Sequence, residues 1–364
     1  MQPVQISLPP EVLPESRRDT PVQKSGLALF AVGLLIFLVG ATGAFESIPL
    51  VYSAGSLGLG VVGALMYLVP LFALYQPGIR QNNIMSAGMT SRGTSAWLVA
   101  VAFTAFYTLL YFFPQTLVHV VRTVDPISYA LLGKPADHWF LYSVLYTVAV
   151  LVMGIRMMAK YQHSRYQIIR TASVMFFQLV FAFTIPVLLR VLNQPEFYFT
   201  YFWPLKPDYL FPHDLTRFLS SDAAIVQFMG FWTIAIAFIG VPVLTYFFGK
   251  RWYCSWVCGC GALAETLGDP YRHLSDKSRT AWRVEVGLIY SVLGFITVTT
   301  LLLWLDASTQ NTLLGTWSSG FRTTYGFLIG SVFSGVIGVG FYPLMGSRVW
   351  CRFGCPQAAI LGIL

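Results

Sequence analysis

Long apolar segments alternate with short polar ones along most of the chain, and this pattern predicts helices that cross a membrane. A helix needs about 20 consecutive apolar residues to span the hydrocarbon core of a bilayer. Eight segments are long enough, at 26–45, 55–75, 95–113, 139–158, 172–192, 223–247, 286–305 and 325–345. We therefore predict an all-α fold, a polytopic bundle of about eight transmembrane helices.

Composition strengthens this prediction. The 364 residues are 56% hydrophobic and only 10% charged, whereas a soluble domain carries about 25% charged residues. In the sequence, no charged residue or histidine falls near the middle of a predicted span. Because ionisable groups inside a membrane usually mark an ion or proton pathway, this pattern disfavours an ion-coupled transporter and mid-membrane haem ligation.

Lysines and arginines are distributed unequally between the two sides of the predicted bundle. With the N-terminus in the cytoplasm, 17 of the 23 basic residues lie in inner segments and 6 lie in outer loops. Cytoplasmic loops of membrane proteins carry such an excess of positive charge, so we predict a cytoplasmic N-terminus. The net charge of +8 reflects this asymmetry, and we expect contact with membrane lipid and not with nucleic acid.

The pattern divides the chain into three regions. Residues 1–25 are polar and rich in proline, which predicts a disordered cytoplasmic tail. Residues 26–222 form an N-terminal membrane region of five spans, and residues 223–364 form a membrane region that contains cysteine motifs and an internal repeat. The outer loop between them carries an aromatic run at 197–203. We interpret that run as an aromatic belt at the bilayer interface or as a docking face for an extracytoplasmic partner.

The internal repeat contains four of the five cysteines. A shift of 97 positions superimposes residues 249–258 on residues 346–355. The matched pairs are Gly249 with Gly346, Arg251 with Arg348, Cys254 with Cys351, and Cys258 with Cys355. Each copy follows a predicted span that ends on the cytoplasmic side, so two pairs of thiols could form one site with four ligands.

The spacing of the cysteines suggests metal binding. A Cys-x-x-x-Cys segment places two thiols on the same face of a helix, one turn apart. The cytoplasm is reducing and disfavours disulfides, which leaves metal ligands, redox-active thiols or buried cysteines. Simple burial fits poorly with two pairs in matched register. Four thiolates suit an iron–sulfur cluster or tetrahedral zinc, and copper(I) is a further alternative.

Two features favour a [4Fe–4S] cluster. Cys355 is followed by Pro356, as is the last cysteine of many bacterial ferredoxin runs. A thiolate-bound cluster is also negative, and nearby cations would stabilise it and tune its potential. The basic residues beside the motifs are Lys250, Arg251, Arg348 and Arg352, although the excess of cytoplasmic positive charge accounts for them equally well. The predicted ligands are Cys254, Cys258, Cys351 and Cys355.

Cys260 is the fifth cysteine and has no cysteine counterpart in the second copy. It lies in the sequence Cys258-Gly259-Cys260, and the shift pairs it with Gln357. It could replace a neighbouring ligand, have a redox role of its own, or have no role in the site.

At these motifs the sequence resembles the membrane-bound polyferredoxin family, which includes NapH-, NosR- and CcoG-type proteins. That family carries two Cys-x-x-x-Cys-Pro motifs at cytoplasmic helix ends, and the resemblance covers about residues 240–364. It implies a bacterial cytoplasmic (inner) membrane protein that transfers electrons towards a reductase or a metal-centre assembly pathway. Gly259 stands where the family has proline. Family members usually continue into a soluble ferredoxin domain, so we expect the natural chain to extend past Leu364.

These observations lead to a functional hypothesis. We predict a membrane electron-transfer protein that relays single electrons through a [4Fe–4S] cluster held at the cytoplasmic ends of two helices. It would serve as a carrier or redox subunit of an oxidoreductase complex. Its expected partners are a ferredoxin-type domain or reductase subunit, and a quinol is a further candidate. One alternative is a factor that reduces copper or assists in the assembly of a copper site. The other is a membrane scaffold whose cytoplasmic face is held together by zinc.

Overall fold

A computed structural model describes residues 19–74, 87–309 and 316–364. Six long helices come first, and they are α1 (Pro21–Gly40), α2 (Pro49–Leu74), α3 (Thr94–Phe112), α4 (His138–Lys160), α5 (Arg165–Val191) and α6 (Ala224–Phe248). Two short helices follow, α7 (Trp252–Trp256) and α8 (Gly259–Glu265). The chain continues with α9 (Arg279–Ser308), α10 (Trp317–Gly340), α11 (Val349–Phe353) and α12 (Pro356–Ile363).

The eight long helices α1–α6, α9 and α10 are each long and apolar enough to cross a membrane. They coincide with the eight predicted spans, and the described residues contain no β-strand. The prediction of an all-α polytopic bundle is therefore confirmed. Most residues of these helices are not buried inside the bundle, as expected for apolar helices whose outer faces contact lipid.

The boundary of the predicted N-terminal tail needs a correction. Helix α1 begins at Pro21 because Thr20 caps it: the Thr20 hydroxyl accepts a hydrogen bond from the backbone N–H of Gln23 at 3.3 Å. The Gln23 side chain in turn accepts from the backbone N–H of Thr20, which completes a capping box. Residues 21–25 are thus helical, and the remainder of the predicted tail, residues 1–18, lies outside the described residues.

The two ends of the bundle differ in character. We call the end where α4 finishes and α5 begins the basic end, because Lys160 and Arg165 lie there. The opposite end, which we call the loop end, carries the long connections before α4 and after α5. Short helices such as Asp125–Leu132 and Pro212–Leu219 fold these connections against the bundle. The predicted boundary at residue 222 falls in the second of these connections, and the division into regions stays a prediction.

The aromatic run after α5 does not form an interfacial belt. Phe197 and Phe202 are buried, with exposures of 0% and 2%. The ring of Phe197 stacks on that of Tyr209 with centroids 4.5 Å apart, and the Phe202 ring lies 4.9 Å from that of Tyr253 in α7. The run therefore packs inward against the cysteine region.

Candidate functional site

The sequence repeat is also a structural repeat. Each copy begins at a glycine with positive φ, +75° at Gly249 and +92° at Gly346, a conformation that glycine adopts without steric cost. A short helix follows, α7 or α11, and contains the first cysteine of the copy. The second cysteine has an extended backbone and immediately precedes the next helix, α8 or α12. Each copy is thus a helix–turn–helix hairpin with a cysteine at the turn.

The first hairpin folds back into the bundle. The backbone carbonyl of Val257 accepts a hydrogen bond from the Gln178 amide at 2.9 Å. The carbonyl of Gly259 accepts one from the Tyr146 hydroxyl at 2.8 Å. At 1.5 Å per residue, Tyr146 lies about 12 Å along α4 from His138 and about 21 Å from Lys160. The turn that contains Cys258 therefore lies well inside the bundle, near the middle of α4 and α5.

This depth corrects the prediction that the motifs lie at the ends of two spanning helices. The chain does reach the basic end at Phe248, but it reverses at Gly249 and returns between the long helices. Close packing keeps the hairpin narrow, because a Cβ at Gly261 would overlap the carbonyl oxygen of Cys254. Helices as short as α7 and α8 leave no hydropathy signal that distinguishes a return into the bundle from a surface loop.

The second hairpin also packs against the long helices. A Cβ at Gly354, next to the turn, would overlap the rings of Phe333 and Trp350. Phe333 belongs to the middle of α10, so this turn also lies at depth. On its other side, the Arg352 guanidinium donates to Glu285 of α9 at 2.8 Å.

The two hairpins bring their cysteines into one neighbourhood. Burial raises the pKa of the Cys254 thiol well above its usual range, and the nearby Cys258 and Cys351 raise it further. Burial likewise raises the pKa of Cys351 to about 12, opposed by Arg348. The pKa of Cys355 is raised by burial and then by Cys351, Cys254 and Cys258. Cysteines of the other copy thus help to raise the pKa of each of these thiols. A bound metal would have to displace the thiol protons.

Cys258 and Cys260 form a distinct pair within this neighbourhood. A side-chain hydrogen bond with Cys260 lowers the pKa of Cys258 to about 7, although burial opposes this effect. The same hydrogen bond, with burial, raises the pKa of Cys260 well above its usual range. Cys260 therefore lies beside the four predicted ligands and contacts one of them.

The two hairpins supply four cysteine thiols as candidate donors. Among the described residues, no group of three or more His, Cys, Asp or Glu side chains is arranged to hold a single metal ion. Tetrahedral zinc, with Zn–S bonds of about 2.3 Å, would draw its sulfurs to within about 4 Å of one another. A [4Fe–4S] cluster also binds four cysteine thiolates and keeps their sulfurs farther apart than a zinc ion does.

Unpartnered polar groups beside the cysteines also fit a cofactor. Gln357 is fully buried, and both polar atoms of its amide lack a hydrogen-bond partner among the described residues. The indole nitrogen of Trp350 is buried and unpartnered as well. Buried polar groups in proteins are almost always hydrogen-bonded, and a cluster would offer sulfur acceptors to the two N–H donors among these three atoms.

Comparison with protein families identifies the segments that carry the hairpins. Residues 230–279 and 327–364 match the family model of a 4Fe-4S binding domain. No curated protein and no solved structure matches the chain. The family match supports an iron–sulfur protein with an iron–sulfur cluster as cofactor, and it gives no support to zinc or copper. The matched segments of the 4Fe-4S binding domain contain both hairpins and exclude α1–α5.

The four predicted tuning cations have different surroundings in the 4Fe-4S binding domain. Arg348 and Arg251 both act to lower the pKa of the Cys254 thiol, so their charges reach the cysteines. Arg352 pairs with Glu285 at 2.8 Å. Lys250 is exposed at the basic end. Arg348 and Arg251 are thus the two cations with a direct electrostatic effect on a predicted ligand.

Sequence analysis missed two acidic residues that anchor the first hairpin. Glu265, at the end of α8, pairs with Arg170 at 2.8 Å and also with Arg272 and Arg348. Burial acts to raise the pKa of Glu265, but the three arginines outweigh it and hold the pKa at about 2. Because Arg348 belongs to the second copy, Glu265 joins the two copies of the repeat.

Asp269 is the second missed acid. It is fully buried and pairs with Arg156 at 2.9 Å and with Lys160 at 2.7 Å, both on α4. Glu265 and Asp269 are four residues apart in a chain with only 15 acidic residues. These two acids lie in the same predicted inner segment as six basic residues. That grouping of opposite charges was the signal in the sequence that could have identified this anchor.

The aromatic run covers the first hairpin from the loop end. The Tyr253 hydroxyl donates to the carbonyl of Thr200 at 2.7 Å. Tyr201 approaches so closely that a Cβ at Gly259 would overlap its hydroxyl oxygen. The run therefore covers the turn of the first hairpin, where Cys258 is buried, whereas Cys254, Cys260 and Cys351 are partly buried.

Proposed function

We propose that this protein transfers single electrons within a membrane through a [4Fe–4S] cluster bound by Cys254, Cys258, Cys351 and Cys355. The main support is that two hairpins, from segments that match a 4Fe-4S binding domain, bring their cysteines into one buried neighbourhood. When bound, such a cluster supplies a one-electron redox couple whose potential depends on charge, hydrogen bonds and solvent exposure.

The chain's own residues would hold and tune this couple. The four cysteines would bind as thiolates, and the positive charges of Arg348 and Arg251 would favour that ionised form. Packing of Tyr201 against Gly259 would exclude water, and a drier site favours the less charged redox state. The ion pair between Glu265 and Arg348 would keep the two pairs of ligands at a fixed separation.

The orientation of the protein, its membrane and its electron-transfer partners belong to the same proposal. The excess of basic residues at the end where α4 finishes supports a cytoplasmic position for that end. This orientation would place the protein in a bacterial cytoplasmic membrane, as the likeness to membrane-bound polyferredoxins implies. We propose that it acts as a carrier or redox subunit between a quinol or a cytoplasmic donor and a partner protein such as a ferredoxin-type domain or reductase subunit.

Cluster analysis of the anaerobically purified full chain tests the proposal. We expect iron and acid-labile sulfide in equal amounts, and an electron paramagnetic resonance (EPR) signal after reduction. Cys351→Ser should abolish the signal, whereas Cys260→Ser serves as the matched control and should retain iron. Stoichiometric zinc without iron in the unmodified protein would overturn the proposal.

A further inference from the structure

Three polar atoms beside the second cysteine pair lack any partner in the described part of the chain. They are the amide nitrogen and oxygen of Gln357 and the indole nitrogen of Trp350. Gln357 is 0% exposed and Trp350 is 6% exposed. Leaving a buried donor unpaired is costly, and few such groups remain in folded proteins. Two of the three atoms, the amide nitrogen of Gln357 and the indole nitrogen of Trp350, are donors, and an acceptor beside Cys355 would satisfy them.

The repeat relates these two residues to a pair of residues in the first copy. In the first copy, the side chains of Tyr253 and Cys260 lie within hydrogen-bonding reach of the Cys258 sulfur. The 97-residue shift pairs Tyr253 with Trp350 and Cys260 with Gln357. The backbone dihedrals of the two turn cysteines are also similar, with φ −65° and ψ 132° in the first copy and φ −81° and ψ 112° in the second. Trp350 and Gln357 thus occupy the equivalent sequence positions relative to Cys355, but neither donates to the Cys355 sulfur, so both donors are uncommitted.

We propose that the Gln357 amide and the Trp350 indole donate N–H···S hydrogen bonds to sulfurs of the cluster beside Cys355 and raise its reduction potential. This inference rests on the proposed function. Reduction adds negative charge to the cluster, and N–H donors stabilise the more negative state. In the first copy the Tyr253 hydroxyl already donates to Thr200, so the second copy has the uncommitted donors.

Removal of each donor should make the cluster harder to reduce. We expect Gln357→Leu to lower the ratio of reduced to oxidised cluster about tenfold at the midpoint potential of the unmodified protein, equivalent to about 59 mV for a one-electron couple. Trp350→Phe, which removes one donor and keeps an aromatic ring, should lower the same ratio about threefold. The measurement is a redox titration of the full chain followed by EPR.

Two residues at the loop end of the bundle provide matched controls. The Gln227 amide donates to the Ser221 carbonyl at 2.8 Å, and the Trp232 indole donates to the Phe199 carbonyl at 2.9 Å. Gln227→Leu and Trp232→Phe remove the same chemical groups from partners within the protein. We expect both variants to titrate at the potential of the unmodified protein.

A measurement on unmodified protein covers the case in which a variant does not fold. With ¹⁵N placed in glutamine side-chain amides or tryptophan indoles, pulsed EPR should detect a weakly coupled ¹⁵N at the reduced cluster. Absence of both couplings, or an unchanged potential in fully loaded Gln357→Leu and Trp350→Phe variants, would overturn this inference alone. Absence of any cluster signal in the unmodified protein would instead overturn the proposed function.

Discussion

The two hairpins share a backbone plan but are held in place by different interactions. Uncharged groups of the long helices hold the turn of the first hairpin by its backbone: Gln178 donates to Val257, Tyr146 to Gly259, and Ser173 to Trp256. This hairpin also makes a charged contact with α5 at its end, where Glu265 pairs with Arg170. The second is anchored by charged side chains of its own, with Arg348 paired to Glu265 and Arg352 paired to Glu285. A repeated sequence thus specifies a repeated backbone, while the residues that support it differ between the copies.

Backbone geometry reflects the same difference. Arg348 has φ of +80°, whereas its counterpart Arg251 has φ of −96°. A non-glycine residue in the left-handed region is strained by about 1 kcal/mol or more. The same Arg348 pairs with Glu265 of the first hairpin. Leu263 and Val349 also belong to one buried apolar cluster, so the Glu265 carboxylate is the charged one of several links between the two hairpins.

The largest expected effect comes from a difference in packing between the two hairpins. Gly261 has no space for a side chain because of the Cys254 carbonyl, whereas its counterpart in the second copy is Ala358. We expect Gly261→Val to destabilise the first hairpin by about 3 kcal/mol or more and to abolish iron binding, as measured by metal analysis and thermal unfolding in detergent. Gly287→Val on α9, where the space is open, is the control. Full iron content in Gly261→Val would contradict the observed packing.

Loss of the shared carboxylate should disturb both hairpins at once. Glu265→Gln leaves the arginines around it without their counter-charge, and we expect a loss of about 3 kcal/mol in the free energy of unfolding. Chemical denaturation measures this change. The control is Glu46→Gln, because Glu46 pairs with His119 and Arg122 at a half-exposed site where such pairs contribute little. Equal stability of the two variants would show that Glu265 does not join the hairpins.

Acid should weaken the same contact in a defined range of pH. The pKa of Glu265 is lowered from its ordinary value of 4.5 to about 2, so its stabilising effect is complete above pH 4.5 and is lost as pH falls towards 2. The shift corresponds to about 3 kcal/mol. Metal-free protein should lose this stability between pH 4.5 and 2, with a further part from Asp269, whose pKa is also lowered. Glu265→Gln should lose less over that range, and parallel pH curves would contradict the assignment.

The smallest expected effect concerns the uncharged support of the first hairpin. Tyr146→Phe removes the hydrogen bond to the Gly259 carbonyl and the contact with Gln178 at 3.0 Å. We expect a loss of about 1 kcal/mol, typical of a buried hydrogen bond, measured as a shift in the unfolding midpoint with iron content unchanged. Tyr129→Phe at an exposed site should have no effect. A loss as large as that of Glu265→Gln would mean that both hairpins depend equally on α4.

Hydropathy predicted the spans, because that signal is local in the sequence. It did not predict the return of the first hairpin into the bundle. That depth depends on contacts with Tyr146 and Gln178, which are more than 70 residues away in the chain. The inward packing of Tyr201 and the pairing of Glu265 with Arg348 also depend on tertiary contacts, to which periodicity and composition are insensitive.

The distance between the hairpins along the chain constrains how the protein is made. The first hairpin is synthesised before α9 and α10, and the second only after them. All four cysteines can therefore come together only once these last two long helices have entered the bilayer. A cofactor built earlier would have half of its ligands, so biogenesis of the centre must be coupled to the final steps of membrane insertion.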